Sequence, residues 1–182
     1  PVDRGCIPFD DGCGVIEAIG SSLRFVASGC ITTKGDTMAD RLVQIHAGLQ
    51  AVIREHAPTI AVIETVFAGE NIKTAIAIGE GRGVAILSAA ELGLTVIGVE
   101  PAVVKRAVTG SGRAGKEQVQ EMVRVLLGLP ETPATDHEAD ALALAITYAN
   151  RARSGLAGAS GLDLPGRPPR RRGGRSTRGW PR

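Results

Sequence analysis

Hydrolysis of a phosphodiester by metal-bound water requires clustered carboxylates, because two divalent ions about 4 Å apart must be held while the attacking and leaving oxygens are stabilised. The chain offers such groups at two places. Glu64 follows Ala61-Val-Ile63 at the carboxyl end of a short apolar run, the end of a buried strand where open α/β sheets build their sites. His137 and Asp140 are three residues apart, with Asp136 one turn from Asp140; on a helix the three share a face. Alone, that second group also reads as the acidic first turn of a helix. Against this, Asp140 is embedded in Ala139-Asp-Ala-Leu-Ala-Leu-Ala-Ile146, and a carboxylate on an apolar face calls for a partner or a metal.

The surrounding elements must bring these residues together. Cys13 to Ile19 and Leu23 to Ile31 are β-rich runs joined across Gly20-Ser21-Ser22, a hairpin pattern. Met38, Leu42, Ile45, Leu49, Val52 and Ile53 recur at helical spacing, with Asp36 or Thr37 as cap and Pro58 as stop. Thr59 to Ile63 and Leu94 to Val99 are continuous apolar runs of the kind buried on both faces of a sheet. Helices are predicted over 72–92, 101–108, 116–127 and 135–151, with a flexible loop from Thr109 to Gly115. The order β-β-α-β-α-β-α-α-α predicts a mixed sheet flanked by helices. Gly79, Gly81 and Gly83 interrupt the second helix, each costing up to about 1 kcal/mol relative to Ala. Close packing against another helix or backbone is the expected use of the missing side chains. A phosphate loop is the sharper alternative, but the triplet follows no strand and lacks the Lys-Ser/Thr of a P-loop.

A chain of 182 residues with 43% hydrophobic and 22% charged residues has the composition of a soluble globular domain, and no run is long enough for a membrane span or a secretory signal. A cytoplasmic protein is expected. Cys6, Cys13 and Cys30 form no metal-binding spacing and read as small buried hydrophobes. Residues 1–150 hold 12 Lys and Arg against 18 Asp and Glu, a net of −6, whereas 151–182 hold 9 Arg against Asp163, a net of +8. Residues 153–182, rich in Gly, Pro and Arg, therefore read as a disordered basic tail behind a folded domain at 1–152. Such a tail is suited either to nucleic-acid phosphate or to solubility alone.

Five ordered blocks carry a family likeness: Ile63-Glu-Thr-Val-Phe67; Asn71-Ile-Lys-Thr-Ala75 running into Gly79-Glu-Gly-Arg-Gly-Val84; Val104-Lys-Arg-Ala-Val-Thr-Gly110; Gly115-Lys-Glu-Gln-Val-Gln-Glu-Met122; and His137-Glu-Ala-Asp-Ala-Leu-Ala143. Over residues 12 to 150 the chain closely resembles the RuvC family of Holliday-junction resolvases. The resemblance implies a ribonuclease H-like fold and a homodimer acting with branch-migration proteins. It also implies cleavage of four-way junction DNA with Mg2+, for which Mn2+ can substitute, in recombination and repair. By the same resemblance, Glu64 and Asp140 match metal carboxylates, and His137 matches a position that either ligates metal or orients the attacking water. Phe67 matches an aromatic that stacks on an unpaired base. Lys105 and Lys116 match phosphate-contacting positions, with Arg82 and Arg113 as weaker ones.

The opening departs from the pattern. Family members begin with an apolar strand leading into Gly-Ile-Asp-Pro-Gly, whereas this chain begins Pro1-Val-Asp3-Arg-Gly5, so the first strand reads as truncated. Asp3 is the best match to the missing metal carboxylate, with Asp10 and Asp11 as poorer substitutes. Two alternative readings follow: a catalytically impaired junction-binding homologue, and a nuclease of the same fold acting on RNA.

Overall fold

A computed structural model of the chain describes residues 3–9, 12–19, 22–65 and 72–155. Its elements run β1 (Asp3–Phe9), β2 (Gly12–Ile19), β3 (Ser22–Cys30), α1 (Met38–His56), β4 (Ile60–Glu64), α2 (Ile72–Glu91), β5 (Thr95–Val99), α3 (Pro101–Thr109), α4 (Lys116–Leu127) and α5 (Asp136–Arg153). The five strands form one sheet in the order β3-β2-β1-β4-β5. β1, β2 and β3 pair antiparallel, and β4 pairs parallel with both β1 and β5.

The mixed sheet agrees with the sequence reading, but the first strand does not. Asp3–Phe9 forms a seven-residue strand between β2 and β4, where truncation had been expected. Only Pro1 and Val2 precede Asp3, but the strand starts at Asp3 and runs on through Gly5-Cys-Ile-Pro-Phe9. Its register with β2 runs without interruption from Asp3↔Ala18 to Phe9↔Gly12.

Strand alternation divides the core in two. Val15, Ala61, Ile63 and Val96 pack with Leu49 and Ile53 of α1 and with Ala85 and Ala89 of α2. Ile16, Val62, Ile97 and Val99 pack on the opposite face with α3, α4 and α5. Helix α5 is the central element of that face. Ala139 and the whole run from Ala141 to Thr147 are buried, as expected of a helix that is apolar all round. It lies flush on β2 because position 14 is glycine: a Cβ there would come within 2.8 Å of Leu142 Cδ2 and 3.2 Å of the Leu142 amide nitrogen. On the other face, His46 Nδ1 lies 2.9 Å from the buried Ser88 Oγ and joins α1 to α2.

Of the two caps offered for α1, Thr37 serves: its hydroxyl accepts from the Asp40 amide at 3.1 Å, and Thr135, where the last helix was expected to start, caps α5 by accepting from the Glu138 amide at 3.2 Å. The glycines of α2 did not behave as expected: among the described residues a Cβ at Gly79, Gly81 or Gly83 would meet nothing within 4 Å, so no described element packs closely on them. Cys13 is buried, but Cys30 is exposed at the sheet edge, with Sγ 3.3 Å from Thr135 Oγ1; the expectation of burial fails there because β3 is an edge strand. No helix among the described residues is long and apolar enough to cross a membrane. Apart from its first three residues, the basic tail lies outside the described residues.

Candidate active site

Glu64 is the last residue of β4, half-buried. Ile60 and Val62 face the α5 side of the sheet while Ala61 and Ile63 face α1 and α2, so alternation places Glu64 on the α5 side. Its backbone pairs with Val99 of β5, and its carbonyl accepts from Arg82 Nε at 3.0 Å. Thus Arg82, a weak phosphate candidate by sequence, reaches the strand end from α2.

The same end of the sheet receives the start of α5. Gly12 pairs with both Phe9 and Cys30. The parallel register of β1 with β4, Cys6↔Ala61, carried three residues further, brings Phe9 level with Glu64. Cys30 Sγ meets the α5 cap Thr135 at 3.3 Å, and Ser28 Oγ donates to Glu138 at 3.3 Å. The first turns of α5, with His137 and Asp140, therefore lie at the same end of the sheet as Glu64 and on the face that Glu64 shares.

Asp140 is exposed to solvent, yet the surrounding protein displaces enough water to raise its pKa above the ordinary carboxylate value. Lys116 opposes that rise, Asp136 adds to it, and His137 and then Lys105 oppose it. The three elements α3, α4 and α5 thus converge on one carboxylate. No hydrogen bond to that carboxylate is found among the described residues, and an under-solvated anion flanked by two lysines is a receptive place for a cation. Lys116, the first residue of α4, places Nζ 3.0 Å from Asp136 Oδ2. Its pKa is raised by that hydrogen bond first, and also by the charge of Asp140. Gln120 Nε2 donates to the other oxygen of Asp136, Oδ1, at 2.6 Å.

Asp3 does not join this group. Gly5 pairs with Ile60 and Asp3 pairs with Ala18, so Asp3 lies at the amino end of β4 whereas Glu64 lies at its carboxyl end. Six residues separate the two levels, about 20 Å at about 3.3 Å per residue. A match by sequence order alone cannot detect this, because pairing register decides which end of a strand a residue occupies. Asp10, Asp11 and Phe67 lie outside the described residues. Arg113 is exposed in the 111–115 loop, where its amide donates to Ser111 Oγ at 3.3 Å. Among the described residues no three His, Cys, Asp or Glu side chains form a ready metal cluster. Glu64 and Asp140 offer the oxygen donors that a hard divalent cation takes, and His137 stands one turn before Asp140 on the same helix; among the described residues no third carboxylate joins Glu64 and Asp140. Gln120 was missed by sequence, although its place four residues after Lys116 on α4 puts both on one helix face.

Comparison with known proteins agrees with this architecture. The profile of a family described as Crossover junction endodeoxyribonuclease RuvC matches residues 2–148. A protein of that description from Chloroflexus aggregans is 46% identical over 139 residues, covering 76% of this chain and 85% of its own. One from Pelotomaculum thermopropionicum is 45% identical over 140 residues, covering 76% and 85%. The structure of Thermus thermophilus RuvC superposes with a TM-score of 0.75 at 33% identity, covering 86% of this chain and 98% of that one. The same protein in complex with a Holliday junction substrate gives 0.75 at 33% identity, covering 85% and 96%.

Proposed function

The chain belongs to the RuvC family of crossover junction endodeoxyribonucleases, and we propose that it cuts four-way DNA junctions at the end of the sheet that carries Glu64 and the first turns of α5. The observation that carries this reading is Asp140: an exposed but under-solvated carboxylate, on the sheet face and at the sheet end of Glu64, with Lys105 and Lys116 beside it. In this reading Glu64 and Asp140 hold Mg2+, for which Mn2+ substitutes, and His137 either completes the coordination or orients the attacking water. Bound divalent ions supply Lewis-acid polarisation of the phosphate and a water that ionises near neutral pH. Lys105 and Lys116 offset the charge of the scissile phosphate and keep the strand in place. The acidic balance of residues 1–150 is compatible with DNA binding, because metal ligands count as negative until ions fill them.

A four-way junction is nearly two-fold symmetric and must be cut twice, so a two-fold dimer is the matching assembly. Helix α2 supports it. Ile72, Ile76, Gly79, Gly83 and Leu87 recur at helical spacing on an exposed face, with Ile72 73%, Ile76 56% and Leu87 52% exposed. A second copy seated there would use the glycines that this chain leaves open. We assign residues 1–152 to the resolvase domain and 153–182 to a basic tail, and we place the protein in the cytoplasm with branch-migration proteins as partners.

The deciding experiment is nicking of a synthetic four-way junction with Mg2+, using wild type and Glu64→Gln. Wild type should cut and the variant should bind without cutting; equal loss of binding and cutting would assign Glu64 a structural role. The register of β1 favours one second reading, a member that binds junctions but cuts them poorly, because Asp3 stands at the wrong end of the sheet to serve Glu64. A shifted but intact junction at saturating wild-type protein would establish it.

A further inference from the structure

We propose that Asp136 is a positioning residue rather than a metal ligand: with Gln120 it tethers the Lys116 ammonium beside Asp140, holding that charge ready for the scissile phosphate. The inference rests on the junction-cutting reading above and adds to it the group that orients one of its lysines.

Both carboxylate oxygens of Asp136 are engaged. Oδ2 takes the Lys116 ammonium at 3.0 Å and Oδ1 takes the Gln120 amide at 2.6 Å. Each oxygen keeps a second lone pair, but a cation bound there would compete with the Lys116 ammonium for the same carboxylate charge. Gln120 lies one turn beyond Lys116 on α4, so the two donors reach Asp136 from the same helix face and fix its orientation from two directions. The Lys116 side chain is 72% exposed, and an exposed ion pair of that kind adds little to stability. What it supplies is location. A lysine on a free four-carbon stem samples many positions, whereas one bound to Asp136 is confined to the volume next to Asp140, whose charge Lys116 feels. Confinement of a charge before the substrate arrives lowers the reorganisation needed in the transition state. The function of the contact is therefore catalytic geometry, and the carboxylate acts through the lysine.

Three measurements separate this from a structural or ligating role. The chain has four lysines, Lys34, Lys73, Lys105 and Lys116, so the side-chain ammonium region of a nitrogen NMR spectrum is assignable by single substitution. The Lys116 signal should be slow to exchange in wild type and should lose that protection in Asp136→Asn. Single-turnover cutting by Asp136→Asn at saturating protein should fall about tenfold, as for a misplaced catalytic group, while junction Kd stays within about twofold and the Mg2+ concentration giving half-maximal rate is unchanged. Gln120→Leu, which leaves the acid in place, should slow cutting in the same way with an unaltered Tm, and it keeps the test alive if Asp136→Asn folds poorly. A raised Mg2+ midpoint would make Asp136 a ligand and overturn the proposal. So would wild-type cutting by both variants, binding lost in step with cutting, or a Lys116 signal indifferent to Asp136. Failure of wild type to cut any junction would instead sink the resolvase reading, and the lysine spectrum would still report on the tether.

Discussion

Arg82 donates through Nε to the backbone carbonyl of Glu64 at 3.0 Å, which fastens α2, the helix with the exposed apolar and glycine face, to the strand end that carries the site. The acceptor is a carbonyl of the last β4 residue, so the contact holds the backbone from which the Glu64 side chain projects. Removing the guanidinium should loosen that strand end without opening the core.

Arg82→Ala is accordingly expected to lower junction cutting about tenfold, on the scale of a small displacement of a catalytic group, with little change in Tm. Arg82→Lys should not restore it, because a flexible ammonium does not reproduce the planar donor. Single-turnover nicking beside thermal unfolding checks both, and unchanged cutting by Arg82→Ala would remove Arg82 from the site.

Asp140 should show the conflict between stability and function. Its folded pKa is raised, with burial as the main cause, so the folded protein holds that proton more tightly than the unfolded chain. The contribution favours folding while the group is protonated and is lost as pH rises from the ordinary carboxylate range through the raised value. Asp140→Asn keeps the shape and removes the charge. At neutral pH it should unfold at a temperature equal to or above that of wild type while cutting is abolished; a lower Tm would mean that the carboxylate is stabilised by partners outside the described residues.

How much of this was legible in the sequence follows from which signals are local. The helices were readable because periodicity, the Thr37 cap and the Pro58 stop are encoded within a few residues. Glu64 and Asp140 stood out as candidates because a lone acid in or just after an apolar run is a local anomaly. Asp3 was misplaced because its location depends on the pairing Gly5↔Ile60, a contact between positions 55 residues apart in sequence that no local pattern encodes. β1 was undervalued because Asp3 was matched to the acid that ends the family's first strand, leaving only Pro1 and Val2 before it, whereas here the strand starts at Asp3 and pairs with β2 through Phe9. The α2 glycines signalled close approach, but no described residue of this chain approaches them, and a contact with a second chain has no local pattern in one sequence.

Gly14 tests how tightly the site depends on α5 seating. A Cβ there would press on Leu142 Cδ2 at 2.8 Å and on the Leu142 backbone nitrogen at 3.2 Å. The side chain can shift, but the backbone can move only with the helix. Gly14→Ala should therefore destabilise by about 1–3 kcal/mol, the usual range for overpacking, and should slow cutting, because lifting α5 also lifts Asp140. Thermal unfolding and nicking should fall together; loss of stability with full activity would show that α5 adjusts without displacing its acids.

Gly83 separates the dimer from the fold. It is exposed in α2, and a Cβ at this position meets no described atom within 4 Å, so Gly83→Leu projects from an open face of the helix. It also removes a glycine from a helix interior, worth up to about 1 kcal/mol in propensity, so the isolated protomer should be at least as stable as wild type. A second copy packed across Gly79 and Gly83 would have no room for the leucine. Sedimentation across a range of protein concentrations should show a dimer for wild type and a monomer for Gly83→Leu. On a junction held in a cruciform plasmid, the variant should produce single nicks in place of paired ones. A variant that still dimerises, or a wild type that is monomeric at every concentration, would assign the glycine face to some contact other than self-association.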